Sequence, residues 1–196
     1  MPANCARHNA TPLVVLGSAL LPGPALVALH FRDGPPASVT GGFGEDSCQV
    51  CHFGDSVNDA GGRLSLHGFP ERYTPGKIYE FELALSRPKM AAAGFELAIR
   101  HAGDRTQAGR IAVSADDEAS VGLLDERGVQ FAHHLQADAA PDAKTVRWQL
   151  SWTAPEVAAP VVVHASAVAG DGDESQLGDY VYTLEAAAGP GEMPLP

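Results

Sequence analysis

From Ile78 onward the chain alternates apolar and polar positions with a period of two, the repeat of a strand with one buried face. Between Ile78 and Leu85, Tyr79, Phe81, Leu83 and Leu85 fall on one side and Glu80 and Glu82 on the other. Phe95, Leu97 and Ile99 repeat the pattern with Glu96 turned away. Val146, Trp148, Leu150 and Trp152 give the clearest case, with Arg147, Gln149 and Ser151 outward and Ala154-Pro155 closing the strand. Val129, Phe131, His133 and Leu135 form a further row, and the stretches from Val161 to Ala165 and from Tyr180 to Leu184 follow. Ile111 with Val113 and Val121 with Leu123 are weaker cases, separated by the acidic loop Asp116-Asp117-Glu118. Upstream, a brief alternation from Arg63 to Pro70 precedes Thr74-Pro75-Gly76-Lys77, where the Pro-Gly pair predicts a turn. Seven or eight short strands punctuated by Gly and Pro, with no long amphipathic helix, predict an all-β antiparallel sandwich over residues 63–186.

The rest of the chain is different in kind. Thr11 to Leu29 is apolar and uncharged behind Arg7 and His8, so residues 1–29 read as a signal peptide. The alternative is an uncleaved N-terminal anchor, against which Pro22-Gly23-Pro24 interrupts the run. Residues 30–62 are rich in Gly and small polar residues and read as a flexible arm, and residues 187–196 as a disordered tail. With 45% hydrophobic residues, the chain can bury one core. Lys and Arg number 13 against 24 Asp and Glu, a net charge of −11, which argues against nucleic acid and anionic lipid as partners and suits a basic or neutral protein surface.

The arm carries Cys48-Gln49-Val50-Cys51-His52. This is the attachment signature of haem c: each thiol bonds one vinyl group and the histidine ligates iron. Structural zinc would need a second ligand pair, and the remaining cysteine, Cys5, lies in the N-terminal segment. A thioredoxin-like thiol pair should open a helix, whereas residues 53–62 are turn-forming; a reactive thiol pair or a disulfide is the rival reading. Haem c is attached outside the cytoplasm, so the motif and the export signal agree: the expectation is an exported protein, periplasmic, secreted or at the cell surface. Loss of the leader would leave Cys48 and Cys51 as the remaining thiols.

With His52 as one metal ligand, the opposite axial position needs a candidate. Alternation places His133 with Val129 and Phe131 and sends His134 to the other face, where a group too large for a sandwich interior could bind. His134 is therefore the first choice. Met90, in the loop from Arg87 to Ala91, comes second as a methionine without an obvious packing role; His133 and His67 remain as alternatives. Asp171-Gly172-Asp173-Glu174-Ser175 with Asp179 lacks the glycine and the terminal acid of an EF-hand, so calcium is not expected there. No nucleophile elbow, phosphate loop or zinc-protease motif is present, and catalytic residues are not expected; an open-site haem enzyme is the minority alternative.

Gly42-Phe43-Gly44-Glu45 before the motif, Tyr73-Thr74-Pro75-Gly76-Lys77, Gly94-Phe95-Glu96-Leu97, Trp148 through Pro155 and Gly178-Asp179-Tyr180-Val181-Tyr182 together resemble the reelin-domain-like (reeler) proteins. They are most similar to the bacterial secreted branch, of the choice-of-anchor V type, that carries C-x-x-C-H ahead of the domain. The resemblance runs from about Gly41 to Leu184 and implies an immunoglobulin-like sandwich; it also points to His134 as a ligand. It leaves two functional readings. One is a monohaem cytochrome-like protein that passes electrons to a redox partner protein or senses redox state. The other is a surface or matrix adhesion module in which haem is structural.

Overall fold

The computed structural model describes residues 34–136, 138–139 and 145–191. The segment read as a signal peptide or anchor lies outside them. The strands are β1 (Arg63–His67), β2 (Arg72–Tyr73), β3 (Ile78–Ser86), β4 (Ala92–His101), β5 (Arg110–Val113), β6 (Val121–Glu126), β7 (Val129–His134), β8 (Asp138–Ala139), β9 (Thr145–Thr153), β10 (Val161–Gly170) and β11 (Tyr180–Pro190). The described residues contain no α-helix, and no helix among them is long and apolar enough to cross a membrane.

Two sheets face each other. One has four strands in the order β1-β3-β9-β5; the other has the order β2-β11-β10-β4-β7-β6, with β8 continuing beside β4 where β7 ends. Pairing is antiparallel except for the short β2–β11 contact. The predicted turn forms before β3: the Lys77 amide donates to the Thr74 carbonyl at 3.1 Å, with Gly76 at φ +70°. Proline followed by a left-handed glycine is what such a turn demands.

The period-two rows meet between the sheets. Phe81, Leu83 and Leu85 of β3 and Trp148, Leu150 and Trp152 of β9 are buried against Phe95, Leu97 and Ile99 of β4. Trp148 stacks on Phe95 at 4.5 Å between ring centroids, and the indole N–H of Trp152 donates to the Ala108 carbonyl at 2.8 Å. Fully burying each such side chain stabilises by roughly 1.5–3 kcal/mol.

Three expectations change. The strand expected to end at Leu184 runs to Pro190, so the disordered tail does not begin at residue 187. Ala186 to Ala188 pair with Val161 to Val163; alanines fit the pleat but carry no alternation signal. The face assignment of β7 inverts. Phe131 and His133 stand opposite Ala98 and Glu96, away from the core, while Ala132 stands opposite Leu97 within it. Met90 is not exposed: at 2% accessibility it packs in the core between the sheets.

Candidate functional site

The arm is docked, not free. It lies across the outer face of the larger sheet, so β4 and β10 are buried on both sides, as their nearly unbroken burial shows. The Val39 amide donates to Glu96 Oε2 at 2.6 Å, and Arg100 pairs with Glu45 at 2.5 and 2.9 Å. Phe43 lies under the Arg100 guanidinium and meets the ring of His164 edge-on. Burial pushes the Glu96 carboxyl up to about 8, with Glu45 adding to the rise and the Val39 amide and Arg100 opposing it.

This docking places the motif. A bridge between Thr40 and Ser47 closes the preceding loop, and the Ser47 hydroxyl caps a turn of 3-10 helix, Cys48–Val50, by accepting from the Gln49 amide at 3.3 Å. The Cys48 carbonyl then accepts from the amides of Cys51 at 3.2 Å and His52 at 3.0 Å. That single turn brings Cys48, Cys51 and His52 to one side, because positions three and four apart are neighbours on a helical surface. The Cys48 amide donates to Ser166 Oγ on β10 at 3.1 Å. Burial pushes its thiol up to about 12, so Cys48 is held protonated. Cys48 and Cys51 are not joined by a disulfide.

Beyond the motif, Phe53 is stitched to the 171–179 loop: its amide donates to the Gln176 carbonyl at 2.6 Å, and the Gly178 amide donates to its own carbonyl at 2.7 Å. Asp179 thereby reaches His52, whose Nδ1 donates to Asp179 Oδ2 at 2.6 Å.

His134 arrives from the opposite side. The β4–β7 ladder stops at the Glu96–His133 pair and β8 resumes it at Ala93, leaving a gap beside Phe95. The ring of His134 fills it, with Nδ1 3.0 Å from the Phe95 nitrogen and 3.2 Å from its carbonyl oxygen. It lies over Gly94, where a Cβ would sit 2.7 Å from the ring. His134 thus reaches the outer face by leaving the ladder rather than by strand alternation.

Cys48, Cys51, His52 and His134 line one cavity of about 400 Å³, whose walls include Val39, Val168 and Gly94. The volume lies within the range of small-molecule sites, and the residues fit a haem: two thiols beside an imidazole in one wall, a second imidazole elsewhere in the lining, and a mostly apolar surround. The other histidine candidates do not line it. His67 is exposed on the smaller sheet, bonded to Ser65, and the ring of His133 packs against Gly34 and Gly122. The acidic stretch forms the rim of this cavity through Gly172, Glu174 and Ser175. Among the described residues no group of three or more His, Cys, Asp or Glu side chains is arranged to hold a metal ion by itself.

No protein-family model matches the chain, and no curated protein matches it. Solved structures do. The Reelin-N domain of F-spondin aligns with a TM-score of 0.50 at 19% identity, covering 74% of this chain and 96% of that one. The fold is reeler-like. A human F-spondin reeler domain aligns at 21% identity with a TM-score of 0.45, over 69% of this chain and 94% of that one. A cohesin module from a Clostridium perfringens family 33 glycoside hydrolase aligns at 13% identity and 0.45, over 67% and 98%.

Within this reeler-like sandwich, sequence reasoning passed over Asp179 and Gly94. Asp179 stood out only as part of an acidic turn, and its distance from His52 in the chain hid the pairing. Gly94 carried no signal beyond being a glycine inside a strand, which marks a close approach by another group.

Proposed function

We propose that the chain is a haem c protein that transfers single electrons or senses redox state outside the cytoplasm. One observation carries this reading: the attachment motif and His134, far apart in sequence, line the same cavity. Cys48 and Cys51 would hold the haem covalently, and His52 and His134 would ligate its iron. The bound haem supplies a one-electron couple whose potential the protein sets through its ligands and the burial around them. His52 is oriented by its Nδ1 on Asp179, which makes Nε2 its ligating atom, and the Nδ1 of His134 lies against the backbone N–H and carbonyl of Phe95. Val50, Phe53 and Leu177 are exposed beside the cavity, near Asp55, Asp173 and Glu174, and this apolar and acidic surface suits a redox partner with a basic rim.

A second reading is a binding or adhesion module in which haem only staples the arm to the sandwich; the likeness of fold to F-spondin favours it. Protein made in cells able to mature cytochromes decides the matter. The haem reading expects the mass of one covalent haem, low-spin absorbance, and conversion of His134→Ala to high spin. Absence of the added mass overturns it, and a haem that does not cycle reversibly with reductant and oxidant leaves the structural reading.

A further inference from the structure

We propose that Asp179 is a positioning residue that lowers the redox potential of the site through His52, an inference that rests on the haem reading above. The geometry is direct. His52 Nδ1 lies 2.6 Å from Asp179 Oδ2, and the two side chains are 34% and 5% exposed. Asp179 begins where the acidic loop turns into β11, and its backbone is fixed on both sides by the Phe53 to Gly178 hydrogen bond and by Tyr180 paired with Ala169. Its ion-pair partner among the described residues is His52; no lysine or arginine competes for the carboxylate there.

A buried carboxylate needs a donor, and an ionised carboxylate can only accept. The His52 proton is therefore held on Nδ1 and Nε2 is the atom offered to iron, as carboxylate-histidine-metal arrangements require. The negative charge behind the ring pulls the Nδ1 proton and makes Nε2 a stronger donor. A stronger donor stabilises ferric iron more than ferrous iron, so Asp179 holds the potential down. Reduction adds one electron, forms and breaks no covalent bond, and leaves the proton between Nδ1 and Oδ2.

The test compares the midpoint potentials of the haem-loaded wild type, Asp179→Asn and Glu174→Gln, titrated at an electrode. Asparagine keeps an acceptor for Nδ1 and removes the charge. Glu174, exposed on the cavity rim, is the control for loss of a nearby acid. The expected result is a rise for Asp179→Asn on the order of a tenfold change in the ferric-to-ferrous preference, about 59 mV for one electron, and a clearly smaller rise for Glu174→Gln. Equal potentials for wild type and Asp179→Asn, or equal shifts in the two variants, overturn the proposal. Should Asp179→Asn fail to take up haem, nitrogen NMR of His52 in the reduced wild type answers the question: a hydrogen-bonded proton on Nδ1 supports it, and its absence overturns it. If the wild type itself lacks the haem mass, it is the underlying reading that has failed.

Discussion

Replacing Gly94 by alanine sets a methyl group against the ring of His134. The new Cβ would stand 2.7 Å from Cε1, 2.9 Å from Nδ1 and 3.0 Å from Nε2, so the ring must move and its contact with the Phe95 backbone is lost. Overpacking costs about 1–3 kcal/mol and the broken hydrogen bond about 1 kcal/mol. Gly94 is not among the residues with positive φ, so alanine is free of backbone strain there and recovers roughly 0.5–1 kcal/mol over glycine. The net expectation is a loss of about 1–3 kcal/mol. In a His134→Ala background the ring is gone, and the sign reverses: Gly94→Ala should stabilise by roughly 0.5–1 kcal/mol. The four proteins form a double-mutant cycle, read by urea unfolding followed through Trp148 and Trp152, with a coupling of about 2–4 kcal/mol. Equal destabilisation by Gly94→Ala in both backgrounds would refute the claim that this glycine exists to admit the imidazole.

Two more predictions concern the docked arm. Folded Glu96 keeps its proton up to about pH 8, whereas the unfolded chain releases it near 4.5, the ordinary range of a glutamate. Unfolding between those values therefore releases a proton, and stability falls as pH rises through that window, by at most on the order of 5 kcal/mol. Glu96→Gln should flatten this slope in chemical denaturation at a series of pH values, and an unchanged slope would remove Glu96 as its source. Arg100→Ala leaves Glu45 without its ion-pair partner, in a pair only 6% and 17% exposed, and removes one of the two guanidinium groups over Phe43. Breaking a buried pair costs about 3–5 kcal/mol, here charged to arm docking. Limited proteolysis should then cut within residues 34–62 while tryptophan fluorescence stays native; a protected arm would show that docking rests on other contacts.

The sandwich was legible because its core rows are large and alternate cleanly: Phe81, Leu83 and Leu85, and Trp148, Leu150 and Trp152, are buried as their period demands. The motif was legible because its chemistry is packed into one turn of chain. Two features were not. Alternation assumes one dry face and one wet face, and the arm covers the outer face of β4, β7 and β10, so Phe131 is 1% exposed on the face away from the core. An apolar row on such a strand does not say which side is the core. Met90 failed for a related reason: a methionine in a Pro-containing turn looks solvated until the turn folds its flexible side chain into the core.

The same covering explains why the site lies on this face. The outer surface of the larger sheet is floored by small residues, Gly94, Ala98, Ser166 and Gly170, which leave room for another layer of backbone and for a flat group beside it. Little apolar surface fixes the arm to that floor: Cys48, Val168 and Val181 form a separate small cluster with Val57 packed against it. The remaining attachment is polar, through Glu45, Arg100, Glu96, Ser166 and the His52–Asp179 pair. A covalent group held by Cys48 and Cys51 from the arm and by His134 from the sheet would tie the two layers together and oppose opening of the arm. Loading should therefore raise the protection of residues 34–62 against hydrogen exchange far more than that of the tryptophan core, whose strands are stable without it.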